Sequence, residues 1–220
     1  MSNTHMLSAA AKALVAEAAE WRLIELLFRC PSAIWQEELK SLASGVQDPD
    51  LCAAARLAVT EANEGIFHSI FGPGGPAPAR EASYQGTIQL GYLMSELNAY
   101  YEAFAYSEAF GASEREAPDH VSVEAGFMGF LRLKQAFGVN NGLEAEAAVA
   151  AEAAERFLQE HLSNIAEPLS YALDHSGQQY LELAGKALLH RAGPARKQIF
   201  DLLDQDAADA ETCAFQCGES

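Results

Sequence analysis

Basic residues are scarce in this chain. Its 14 Lys and Arg stand against 31 Asp and Glu, a formal net charge of −17. Such a surface repels phosphate backbones and anionic headgroups, which excludes nucleic acid and anionic membrane as natural partners. A cationic peptide or a basic protein patch is attracted instead, although acidity also serves plain solubility. Cysteine is scarce too. Cys30, Cys52, Cys213 and Cys217 show no secreted-scaffold spacing. The last two read as free thiols of a tail rather than a metal pair, because His190 is the only histidine near them in sequence. No apolar run approaches the roughly 20 residues that span a bilayer, so no stable membrane insertion is expected. Residues 1–14 lack the basic start, apolar stretch and cleavage site of a secretory signal. The cytoplasm is the natural compartment.

Enzyme signatures are missing as well. A phosphate-binding G-x-x-x-x-G-K-[ST] fails because Tyr180 stands where the first glycine is needed before Gly185-Lys186. G-x-G-x-x-G fails at Ala77 after Gly72 and Gly74. There is no G-x-S-x-G, no H-E-x-x-H and no paired Glu-x-x-His of a di-iron bundle. No catalytic residues, metal ligands or cofactor are assigned.

What is present is helix-forming sequence. Half the residues are hydrophobic, and Ala, Leu and Glu dominate without sustained β-branched alternation, which predicts an all-α fold, a multi-helix bundle. Apolar spacing predicts a helix over 8–28 with Trp21, Ile24 and Phe28 on its buried face. Pro31 stops it, and Ser32 is placed to cap the next, which carries Trp35 and Leu39. Asp48-Pro49 opens a third helix expected to run through Ile66 to Ile70. The Gly- and Pro-rich stretch 71–78 must be a loop. Further helices are expected over 85–109, from Pro118 to Gly138, 143–164, a short one through Leu173, 178–191 and 195–203. The charged stretch 111–117 reads as a hinge between two lobes, 1–110 and 111–204, followed by an acidic tail, 205–220. Lobes joined this way can exchange between protomers, which allows a homodimer.

The informative segment is Glu116-Ala-Pro118-Asp119-His120, leading to Glu124. Pro118 rejects a helix interior, so a helix starts at or just after it, with Asp119 able to cap it. Glu124 follows His120 by four residues, which puts both on one face and favours a protonated imidazole. A plain helix start with a local His–Glu pair explains the same pattern.

These residues resemble the signature of the TorD/DmsD/NarJ family of redox-enzyme maturation chaperones, an E-x-P-D-H element followed by Glu and then Phe-Met. Here it stands as Glu116 to His120, Glu124 and Phe127-Met128, with Ala125 in place of the usual leucine. The Gly72-Pro73 loop, followed by Ser83-Tyr84, and the element Phe157-Leu158-x-Glu160-His161-Leu162 resemble two further family features. The similarity runs from about Trp21 to Leu189. It implies an all-helical cytoplasmic protein without enzymatic turnover or cofactor. Its partner would be the apo catalytic subunit of a molybdopterin oxidoreductase and its twin-arginine signal peptide. Asp119 and His120 would belong to the leader-binding region, with the Gly72-Pro73 loop as another wall.

A leader has a basic start and an apolar middle. The arginines would meet carboxylates such as Asp119, Glu116 or Glu124. The apolar helix would lie on aromatics, with Tyr84, Tyr92, Phe127 and Met128 as candidate lining, though core packing accounts for each equally well. The alternative is an assembly factor that docks on a nitrate-reductase-like subunit and ignores the leader. A nucleotide hydrolase is a third class.

Overall fold

Ser8 starts the first helix, α1 (Ala9–Leu27), by accepting a hydrogen bond from the Ala11 amide at 3.1 Å. A computed structural model describes residues 7–86, 89–106 and 116–194. Short helices follow α1. In α2 (Trp35–Ala43) the Trp35 indole donates to the Leu26 carbonyl at 2.7 Å, which pins the chain reversal against α1. Ser32 does not cap α2 with its side chain; only its carbonyl accepts, from Trp35 N. Asp48 caps α3 (Pro49–Glu61) as expected, with Pro49 in the first turn.

The expected continuous helix to Ile70 is broken. Ala62 is extended, and Asn63 caps a separate α4 (Glu64–Phe71) by accepting from Ile66 N at 3.0 Å. Asparagine competes for backbone donors, which a helix interior cannot offer it. After the 71–78 loop comes one 3₁₀ turn, Glu81–Ser83, then α5 (Leu90–Ala103). That helix is shorter than the predicted 85–109: Ala105 takes a left-handed φ of 52° and the Tyr106 amide closes back on Tyr101 O. Residues 87–88 and 107–109 of the predicted 85–109 helix, hinge positions 111–115, the 195–203 helix and the tail with Cys213 and Cys217 lie outside the described residues.

The longest element, α6 (Val121–Asn141), runs past Gly138 and stops at Gly142, which takes φ +70°. Gly138 stays helical because α7 (Glu144–Phe157) passes over it. The predicted 143–164 helix is interrupted by a π turn, Leu158–Leu162, and continues as α8 (Ser163–Asp174) with Pro168 inside it. The wide turn shifts the hydrogen-bond ladder just upstream of the proline. Finally, α9 (Gln179–Ala192) ends at Gly193.

All regular structure among the described residues is helical, so the fold is all-α. One apolar core collects side chains from both ends of the sequence. Along it, α1 lies against α6, α7 returns along α6, and α9 packs on α3 and α8. Gly129 permits the α1–α6 approach: a Cβ there would sit 3.2 Å from the Ala18 carbonyl. Arg191, largely buried, ties α9 to Glu20 at 2.9 Å and to Asp48 at 2.7 Å. No described helix is long and apolar enough to cross a membrane.

Candidate functional site: a buried polar frame and an open groove

The loop after α4 folds back tightly. Gly72 caps α4, and a Cβ on Gly72 or Gly75 would collide with the backbone carbonyls of His68 and Ile70. Glycine is therefore required for the chain to re-enter the bundle as an extended segment. There it pairs with the residues that precede α6. Arg80 and His120 form an isolated antiparallel bridge, flanked by Val121 N to Ala79 O and Glu81 N to Asp119 O, each 2.8 Å.

This short crossing buries three carboxylates in a helical core. Asp119, Glu81 and Glu124 are each fully buried. Asp119 does not cap α6. Its Oδ1 accepts from Arg80 Nε and Nη2, both at 2.8 Å, and its Oδ2 from Ala82 N at 3.4 Å. The cap is His120, whose Nδ1 accepts from Ser122 N at 3.2 Å and lies 2.7 Å from Ser122 Oγ. The Tyr101 hydroxyl donates to Pro118 O at 2.8 Å and holds the approach to the helix.

Two expectations change here. His120 does not pair with Glu124; its Nε2 faces Glu116 at 3.6 Å. Nor is its imidazole protonated: burial, aided by the Arg80 charge, pushes its pKa down to about 4. Glu124 lies instead beside the Glu81 and Asp119 carboxylates. Burial and those two like charges push its pKa well above the usual carboxylate range. A proton on Glu124, turned toward Glu81, removes the repulsion, since the Glu124 oxygens meet no donor among the described residues.

Glu81 completes the frame, and sequence reasoning missed it. Its Oε1 accepts from Asn164 Nδ2 at 3.1 Å and from Gln85 Nε2, and its Oε2 lies 3.1 Å from His161 Nδ1. Only His161, in the Phe-Leu-x-x-His-Leu element, carried a signal. Of the predicted aromatic lining, Phe127 and Met128 are fully buried core residues. Phe127 packs edge-on to Phe157 at 4.8 Å and Tyr101 at 5.0 Å between ring centroids. Tyr84 is half-buried, Tyr92 lies exposed on α5, and Pro73 is at the surface.

The comparison with known families turns on this region. The profile of the family described as nitrate reductase delta subunit matches residues 36–169, which takes in the glycine loop, the Asp119–His120 crossing and the π turn. The chain belongs to that family. It is the NarJ/TorD type of molybdoenzyme maturation chaperone, a family of maturation factors rather than enzymes. No curated protein matches the chain.

As a member of the nitrate reductase delta subunit family, the chain needs a surface for a client, and the closed frame offers little of one. The open surface lies further along α6 and α7. A groove of about 910 Å³ runs between them, walled by Phe104, Leu133, Phe137, Leu143 and Val149. Phe137 is 65% exposed and Val149 58%. At Phe104 and Val149 it adjoins a second hollow of about 440 Å³ between α5 and α7, bordered by Glu96, Glu152 and Glu160 with Arg156. The apolar trough thus opens onto a predominantly acidic end.

Proposed function

We propose that this chain is a cytoplasmic chaperone that receives the apo catalytic subunit of a molybdoenzyme through its twin-arginine leader. The apolar middle of the leader lies as a helix in the α6–α7 groove, and its basic start meets the carboxylates of the acidic end, Glu152 among them. The observation that carries this reading is the junction of an exposed apolar trough with an acidic end, the complement of a segment that is basic and then apolar. The family supplies the client class. Asp119, His120 and Glu124 then act as the frame that fixes the Gly72-Pro73 loop against α6, with Glu116 and Pro118 at its rim. In this reading a leader arginine does not reach Asp119, whose carboxylate is taken by Arg80.

Calorimetry with a synthetic leader tests it. Phe137→Asp and Val149→Asp alter exposed side chains, so both variants should fold. Each should weaken leader binding by about 2 kcal/mol, roughly thirtyfold. Unchanged affinity in both folded variants removes the groove from the site. The alternative reading is docking on a nitrate-reductase-like subunit without the leader; the family's description names that enzyme class. Equal capture of leader-deleted and intact apo-subunit would establish that one instead.

A further inference from the structure

The π turn brings one more group of side chains together, joining His161 of the frame to Glu96 and Glu160 of the acidic hollow. Ligand atoms of Glu96 on α5 and of Glu160 and His161 on the π turn lie within 4.8 Å of one another. His161 is 1% exposed. Its Nδ1 is committed to Glu81 Oε2 at 3.1 Å, while its Nε2 meets no hydrogen-bond partner among the described residues. A buried imidazole nitrogen without a partner is costly unless something takes its lone pair.

We propose that Glu96, Glu160 and His161 Nε2 bind a divalent transition-metal ion. The surroundings have the form such sites take. Donation from Nδ1 to Glu81 fixes the ring and the tautomer, leaving a basic lone pair on Nε2, as a carboxylate does behind a metal-bound histidine. The Tyr100 hydroxyl donates to Glu160 Oε2 at 2.6 Å and orients that carboxylate. One imidazole with two carboxylates suits hard to intermediate ions, Mn²⁺ included, and two anionic ligands neutralise the ion. The hollow above leaves an entry path and room for water as further ligands. Arg156 competes for Glu160 Oε1, but at 3.4 Å and 60% exposed it is a weak, solvent-screened rival. The ion would tether α5 to the π turn, across a contact otherwise made by the Tyr100 ring edge-on to His161 and Phe157.

Mn²⁺ titration of the full-length metal-free protein, followed by loss of the free-ion EPR signal, tests this without any client. Mn²⁺ avoids thiols, which limits competition from Cys30, near Glu64 and His68 in a second cluster. The wild type should take up one equivalent. The Glu96→Gln/Glu160→Gln variant, which leaves the Glu81–His161 contact in place, should bind at least tenfold more weakly, with Glu64→Gln unchanged. Wild-type affinity in the double variant, loss of binding in Glu64→Gln instead, or no uptake by the wild type overturns the proposal. Since leader binding is not measured, failure here leaves the chaperone reading standing.

Discussion

At the scale of single residues, the buried ionisable groups pull stability in opposite directions with pH. His120 has its pKa lowered from 6.5 to about 4. The unfolded chain therefore takes a proton that the native state refuses, and stability is lost as pH falls from about 6.5 toward 4. Glu25 behaves oppositely. Burial against α6 outweighs the neighbouring Arg22 and Arg29 and lifts its pKa from 4.5 to about 7. The native state then holds the extra proton, and stability is lost as pH rises from about 4.5 to 7, with Glu124 acting in the same sense. Each of these two shifts is worth roughly 2 kcal/mol between pH 5 and 7. Urea midpoints at those two values should show His120→Gln gaining stability at pH 5 relative to the wild type's own change, and Glu25→Gln losing it. Parallel profiles for all three proteins would show that neither group titrates as its burial demands.

At the scale of elements, the α6–α7 corner is held by absence of a side chain. A Cβ on Gly138 would stand 2.9 Å from Ala147 Cβ and 3.0 Å from its amide nitrogen. Backbone cannot swing aside, so Gly138→Ala should cost about 1–3 kcal/mol in denaturant unfolding, in spite of alanine's better helix propensity. A stabilised variant would mean that α7 is free to move away. This corner also shows what the sequence allowed one to read. The cap at Asp48 was legible because it depends on two or three neighbouring residues, and so was the 71–78 loop. The break at Asn63 and the extension past Gly138 were not, because a polar residue and a glycine each have a local meaning that packing overrides. The π turn left no local mark, and Pro168 pointed to a helix end that does not occur. In the frame, Pro118, Asp119 and His120 stood out as a motif, but the distant partners of their segment did not. Arg80 and Glu81 reach them from a different part of the chain, a relation that spacing along one helix cannot express.

At the scale of the whole molecule, the charge of −17 gives a long-range field to a groove whose walls are mostly apolar, with Lys134 and Glu146 the charged residues lining it. Such a field speeds encounter with a cationic leader more than it tightens the complex. Stopped-flow association of a labelled leader should slow about tenfold between low salt and roughly 0.5 M, where the screening length falls below 5 Å. Dissociation should change far less. An association rate indifferent to salt would assign the acidity to solubility alone.

The Glu81 carboxylate also sets a timetable. Its partners His161 and Asn164 lie 80 and 83 residues further along the chain. While the ribosome has yet to deliver them, that carboxylate stays better off in water, and the segment from Ala79 to Glu81 has no reason to seat beside α6. A nascent chaperone therefore reaches its finished shape only after Asn164 has left the ribosome, and a shorter copy has no settled frame with which to engage a client.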